Sequence, residues 1–340
     1  MTFEEDPRAD PRIAAAFGLM ALAEGVDPIG PDASYEQALE YTAAFEKVGE
    51  AGHPMMLEAM PAFDGVESSV ETIEGVDGNQ ITLYIERPKA QTGPLPCIVH
   101  MHGGGMVLAA AADPMYIRWR KILAETGMVV VGVEFRNGGG KLGNHPFPAG
   151  LNDCATATQW AYTNKESLGV SKIVLSGESG GGNLCIATAL KGLSEGWIEQ
   201  IDGVYALCPY ISGTYTKPPS ELASLVENNT YMLDCEMMGS LVKVYDPAGE
   251  HASNPLAWPL QASTTSLAGL PPHIISVNEL DPLRDEGLEY YRKLANAGVS
   301  AVARTVHGTP HGGDMGFVDV APEITAETVR SLHGFASSLG

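Results

Sequence analysis

The chain of 340 residues is poor in cysteine and in basic charge, and it has no long apolar run. Cysteine occurs five times, at Cys97, Cys154, Cys185, Cys208 and Cys235, widely spaced and without a CxxC pair. That argues against a zinc knuckle and a disulfide scaffold. Most of these cysteines sit in apolar stretches, where a thiol packs as a small hydrophobe. Lysine and arginine total 20 against 42 acidic residues, a formal charge of −22. A surface that acidic repels phosphate backbones and anionic lipid, so neither nucleic acid nor membrane is an expected partner. No run of about eighteen apolar residues is present. The acidic start MTFEEDPRAD lacks the basic and apolar regions of a secretion signal, so a reducing cytoplasm is the expected compartment. The nine histidines are scattered and no HExxH occurs, so no metal is expected.

The chain has the apolar share of a globular protein, 44%, enough for a sizeable core. Residues 1–65 read as helical, with candidates from Ile13 to Leu22 and from Tyr35 to Val48 around a breaker-rich stretch from Gly25 to Asp32. Period-two alternation at Val70–Val76 and Gln80–Arg87, with Asp77-Gly78 between, predicts an antiparallel hairpin. Short, nearly continuous apolar strands then alternate with helices. The strands are Cys97–Met101, Met128–Phe135, Lys172–Ser176, Gly203–Leu207, His273–Val277 and Ala301–Val306. The helices between them are Tyr116–Glu125, Asn152–Asn164, Asn183–Leu193 and Arg284–Ala297, with a last one from Pro322. Strands apolar on both faces are what a mostly parallel sheet covered by helices requires, so the fold class is α/β. Residues 66–209 and 260–340 form the expected core. Residues 210–259 interrupt the rhythm with helical patches and prolines, and are expected to join residues 1–65 as a helical cap over the sheet's carboxyl edge.

The sharpest motif is Gly177-Glu178-Ser179-Gly180-Gly181, between a strand and a helical stretch. This strand–GxSxG–helix order is that of a nucleophile elbow. A serine on a strained turn needs neighbours without Cβ, and the helix that follows points its N-terminus at developing negative charge. A phosphate loop would need Gly-Lys-Ser/Thr, and here Asn183 follows Gly182. Directly after the strand Cys97–Met101 comes His102-Gly103-Gly104-Gly105. Glycines let backbone N–H groups approach an oxyanion, so Gly104 and Gly105, with Gly180, are the expected donors. His102 is expected to hold this loop rather than carry protons.

Downstream, Asp281 ends an apolar strand and is favoured as the acid over Asp285, which falls in a first helical turn. Of His307, His311 and His333, His311 is favoured as the base because it stands in the glycine-flanked loop Gly308–Gly313 beyond the last strand. Ser179, Asp281 and His311 then follow the order nucleophile, acid, base. Met106, next to the donor glycines, is the best candidate to face substrate. Serine chemistry of this kind needs no cofactor.

With these residues assembled, the chain resembles the hormone-sensitive-lipase-like family of α/β-hydrolase esterases over residues 90–340. The likeness rests on HGGG at residues 102–105, GESGGGN around Ser179, DPLRDEG from Asp281 and the Gly308–Gly312 loop around His311. Glu134-Phe135-Arg136 and HPFPA from His145 resemble the family's DYR…HPFPA stretch. The resemblance implies the triad and oxyanion hole named above and a two-part cap. Three departures bear on pocket shape: GESGGG in place of GDSAGG, the insertion Asn137–Gly143, and Gly312-Gly313 in place of Gly-Phe. The expected activity is hydrolysis of short- to medium-chain carboxylic esters, or lactones, through an acyl-enzyme. A non-hydrolytic hormone-binding protein on the same scaffold usually lacks the histidine, and His311 is present. An amidase or thioesterase shares the elbow. The strand Ala301–Val306 would suit pairing with a second copy, a homodimer.

Overall fold

The computed structural model describes residues 2–20, 26–27, 29–30, 32–90 and 92–340. Its centre is an eight-stranded sheet: β1 (Val66–Glu74), β2 (Gln80–Pro88), β3 (Leu95–Met101), β4 (Val129–Glu134), β5 (Val170–Glu178), β6 (Gly203–Leu207), β7 (His273–Asn278) and β8 (Ala301–Val306). The spatial order is β1-β2-β4-β3-β5-β6-β7-β8. β2 runs antiparallel to both β1 and β4, and every other pairing is parallel. The expected α/β class therefore holds, with the hairpin as the antiparallel end of a parallel sheet.

The helices used below are α1 (Pro11–Met20), α2 (Tyr35–Glu50), α3 (His53–Glu58), α4 (Pro114–Glu125), α5 (Ala149–Thr163), α6 (Gly180–Glu195), α7 (Cys235–Tyr245), α8 (Arg284–Asn296) and α9 (Pro322–Ser338). Period two divides the strands between two apolar layers. From β3, Cys97, Val99 and Met101 enter one cluster with Leu151 of α5, Leu184 of α6 and Leu294 of α8. Ile98 of β3 faces the opposite cluster, with Trp119 and Leu123 of α4 and Leu332 of α9. The sheet is covered on both faces, which is why its central strands read as unbroken apolar runs.

Several helices begin earlier than their apolar pattern. α4 starts at Pro114 rather than Tyr116, α5 at Ala149 rather than Asn152, and α6 at Gly180 rather than Asn183. β1 starts at Val66 rather than Val70 and is largely exposed, as an edge strand can be. The predicted extension of α1 to Leu22, and much of the stretch Gly25–Asp32, lie outside the described residues.

The N-terminal segment and residues 210–259 meet each other and the sheet's carboxyl edge. Phe3 and Ile13 pack with Tyr231, Leu280 and Phe317 in a third apolar cluster. α2 packs against α7, and Ser34 caps it by accepting from the Gln37 N–H at 3.2 Å. Tyr210, Tyr215 and Trp258 are buried, with the Tyr210 and Tyr215 rings stacked 4.6 Å apart and Trp258 edge-on to Tyr210 at 5.7 Å. Each such pair contributes about 0.5–1.5 kcal/mol beyond area burial. In residues 210–259, Tyr231, Met237 and Met238 are core and buried, whereas Met55 in the N-terminal segment is 72% exposed.

Candidate active site

Ser179 stands between β5 and α6 with φ 55° and ψ −118°, a conformation costly for any residue with a Cβ. Tight packing holds it there. A Cβ on Gly177 would lie 2.3 Å from the Met101 carbonyl oxygen, and one on Gly181 would lie 1.9 Å from it. Only glycine at both positions lets the elbow press against β3. The Ser179 N–H donates to the Leu207 carbonyl at the end of β6 (3.0 Å), and its own carbonyl accepts from Tyr210 N–H (3.1 Å).

The loop after β3 lies across this turn. Gly104 and Gly105 have φ of 96° and 62°. A Cβ on Gly180 would stand 2.6 Å from Gly105 N and 2.5 Å from Met106 N, so elbow and loop are in backbone contact. The peptides carrying the expected donors Gly104 and Gly105 N–H are each pinned from the carbonyl side. The Gly104 carbonyl accepts from Val107 and Leu108 N–H at 3.0 Å, which fixes the plane carrying Gly105 N–H. The Gly103 carbonyl lies 2.8 Å from His102 Nδ1, which fixes the plane carrying Gly104 N–H. A ring nitrogen facing a carbonyl must donate. Burial pushes His102 down to about 3, so it stays neutral, stacked 4.1 Å from the Phe135 ring. The geometry thus matches the loop-holding part expected of His102. Met106 is only 1% exposed and packs in the main apolar cluster.

On the far side of the elbow, Asp281 follows β7 and His311 follows β8. His311 Nδ1 is 2.8 Å from Asp281 Oδ2, and Asp281 Oδ1 accepts from Leu283 N–H at 2.8 Å. Asp281 is fully buried. His311 is held well above the usual imidazole range: burial would lower it, but the charge and hydrogen bond of Asp281 outweigh burial. The competing candidates lie elsewhere. Asp285 accepts from Ser224 N–H at 2.8 Å, tying the 210–259 segment to α8. His307 is exposed beside Glu279, and His333 is part of α9.

Two side chains at the site, Cys208 and Glu178, escape the sequence. Cys208 follows directly after β6, and its donor atom and those of Asp281 and His311 all lie within 4.8 Å of one another. Burial pushes its thiol up, so it stays protonated. Glu178, the residue before Ser179, reaches back to the loop of Gly103–Gly105. The insertion Asn137–Gly143 also has a use. Gly138 and Gly139 N–H donate to the Met106 and Val107 carbonyls at 2.9 and 3.0 Å. Lys141 Nζ pairs with Glu50 of α2 (2.6 Å) and Asp113 (2.7 Å). Glu46 of α2 accepts from both Ala109 N–H (2.7 Å) and Lys141 N–H (2.6 Å). Beside this tie, a cavity of about 320 Å³ opens among Phe45, His53, Met56, Leu108, Met115 and Tyr116.

A family model described as the α/β hydrolase fold matches residues 98–315. The chain belongs to that family. Within the α/β hydrolases it is similar to solved structures and characterised enzymes over most of its length. Brefeldin A esterase, described as a bacterial homologue of human hormone-sensitive lipase, shares 43% identity, with a TM-score of 0.93 over 98% of this chain and 95% of that one. Carboxylesterase NlhH of Mycobacterium tuberculosis is 31% identical over 79% of this chain and 82% of its own. Esterase LipI of the same species is 31% identical over 70% and 71%. The protein is a carboxylic ester hydrolase of the α/β-hydrolase family. Among the described residues, no helix is long and apolar enough to cross a membrane.

Proposed function

We propose that this hydrolase cleaves short- to medium-chain carboxylic esters, lactones included, through an acyl-enzyme on Ser179. The carrying observation is the 2.8 Å contact of His311 Nδ1 with Asp281, beside a serine held at φ 55°. Ser179 and His311 meet the same end of β6, the serine through the Leu207 carbonyl and the histidine at Cys208. His311 takes the Ser179 proton and returns it to the leaving alkoxide, and water then deacylates the enzyme by the same route. Asp281 fixes the tautomer that leaves Nε2 free and steadies the imidazolium. Gly104, Gly105 and Gly180 N–H bind the oxyanion. Residues 1–65 and 210–259 act as the cap, and the cavity lined by Leu108, Met115 and Tyr116 takes one side of the ester. No cofactor is called for. The acidic surface favours a small uncharged substrate over polyanions, and β8 offers an edge for a homodimer.

A panel of p-nitrophenyl esters of increasing acyl length, with a lactone, a thioester and an anilide alongside, tests this. Esters up to medium length are expected to turn over, and the anilide at least about 100-fold more slowly, because nitrogen leaves only after firmer protonation. An anilide cleaved as fast as the esters, or a maximum at long chains, would reject the assignment.

The acid limb of the pH profile follows from His311. Only the neutral ring accepts the serine proton, and Asp281 holds the ring proton above the roughly 6.5 of free imidazole. Activity therefore rises with pH through a value above that figure. Stability moves oppositely: the Asp281–His311 contribution is complete below the unfolded histidine value and fades as pH rises through the folded one. Asp281→Asn should shift the limb of kcat/KM downward while lowering kcat. A wild-type limb at or below the free-imidazole value would contradict the assignment.

A further inference from the structure

We infer that Glu178 is a positioning residue for the oxyanion hole, clamping the donor loop to the nucleophile elbow; the inference rests on the esterase mechanism proposed above. Glu178 is 5% exposed, and a carboxylate buried to that degree is costly unless both oxygens are used. Both are. Oε1 accepts from Gly103 N–H at 2.7 Å, and Oε2 lies 3.1 Å from His100 Nε2. His100 is fully buried on β3, the strand from which the donor loop departs, and its other ring nitrogen has no partner among the described residues. One carboxylate thus grips both the strand and the first glycine of the loop.

Its place in the chain gives that grip a consequence. Glu178 is joined to Ser179 by one peptide bond, and Gly103 is joined to Gly104 in the same way. A path of two peptide bonds and one hydrogen bond links the nucleophile to the first oxyanion donor. On the other side of the same residue, in the next peptide, His102 holds the Gly103 carbonyl at 2.8 Å. Gly103 is fixed at both its N–H and its C=O, and the Gly104 N–H is left one orientation. Packing agrees: a Cβ on Gly103 would lie 3.1 Å from the Tyr116 hydroxyl and 3.5 Å from the Glu178 carbonyl oxygen. A negative charge beside a developing oxyanion does not itself favour the transition state. The benefit is geometric, so an uncharged acceptor of equal length should replace it.

The test compares Glu178→Ala, Glu178→Asp and Glu178→Gln with wild type. It reads kcat and KM for p-nitrophenyl butyrate, Ki for an arylboronic acid whose tetrahedral serine adduct places oxygen in the hole, and thermal stability. Glu178→Ala and Glu178→Asp, the second too short by one methylene, should lose about 10- to 100-fold in kcat with KM changed little, a fraction of what a lost donor costs. Boronate Ki should rise by the same factor. Glu178→Gln keeps the acceptor for Gly103 N–H and should stay within about fivefold of wild type on both measures. If Glu178→Ala does not fold, the contrast between Asp and Gln decides. A purely structural role would lower stability in step with activity and leave boronate affinity with the folded fraction unchanged. Variants that keep wild-type kcat and Ki, or a Gln variant no better than Asp, would overturn the inference alone. A wild type without ester turnover would overturn the mechanism it rests on, and the inference with it.

Discussion

Replacing Ser179 by alanine is expected to reduce ester turnover by about 10⁴- to 10⁶-fold, with the fold intact. The size follows from the design of the site. In the proposed mechanism His311, steadied by Asp281, acts on Ser179 Oγ, and the donor glycines act on the oxyanion that attack by Oγ creates, so without Oγ the base has no proton to take and the donors no adduct to hold. What survives is binding and polarisation of the carbonyl toward water. Stability should move by less than about 1 kcal/mol, because the costly φ of 55° burdens alanine as it burdens serine. Kinetics on p-nitrophenyl butyrate, with a melting curve on the same preparation, separates loss of chemistry from loss of fold. An organophosphonate should label the peptide containing Ser179 in wild type and leave the variant unlabelled. Turnover within tenfold of wild type, or label on another residue, would remove Ser179 from the mechanism.

The same geometry explains which parts of the protein are legible in its sequence. Strands buried on both faces write themselves as short apolar runs, so β3 to β7 can be read with little error. The elbow and donor loop are legible because the chain accepts only glycine there, and the spacing of glycines around Ser179 and after His102 records the contact between them. Helix starts are harder. The first turn of a helix has N–H groups without intrahelical partners, so proline and glycine are tolerated there. Pro114 and Gly180 open helices whose apolar pattern begins only later. The choice of Asp281 over Asp285 rested on strand position. The structure adds that Asp285 is occupied with Ser224, a partner some sixty positions away in sequence.

What the sequence hides is contact between elements of no shared period. Glu178 reads as an ordinary acid in a motif, and its bond to Gly103 exists only because β5 lies beside β3. Glu286 reads as a first-turn helix acid. It is fully buried and pushed up to about 8 by that burial, and it accepts from Ile211 N–H and the Tyr215 hydroxyl where the 210–259 segment leaves β6. The insertion Asn137–Gly143 is legible only as a departure that bears on pocket shape, yet it links α2 to the chain that follows the donor glycines. These three cross-connections hold the donor loop, the elbow, α2 and residues 210–259 in register, and each joins residues that sequence spacing alone cannot pair.

That register yields a second large effect, at Gly180. Alanine there is expected to lower kcat/KM by about 10²- to 10³-fold, as much as a lost oxyanion donor. Gly180 is the first residue of α6, and its φ is not positive, so backbone strain is not the cause. The cause is room. The added methyl would sit 2.6 Å from Gly105 N and 2.5 Å from Met106 N, both backbone atoms that cannot rotate away. Elbow and donor loop must separate by several tenths of an ångström, which moves Gly105 N–H off the oxyanion while leaving Ser179, His311 and Asp281 in place. Such a variant should still be phosphonylated by an organophosphonate, more slowly, and its boronate affinity should fall with kcat/KM. Gly334→Ala on α9 is the matched control: its Cβ meets nothing within 4 Å, so activity should hold while stability rises by about 0.5–1 kcal/mol. If Gly180→Ala kept wild-type kcat/KM, the donor loop would not be where the oxyanion forms.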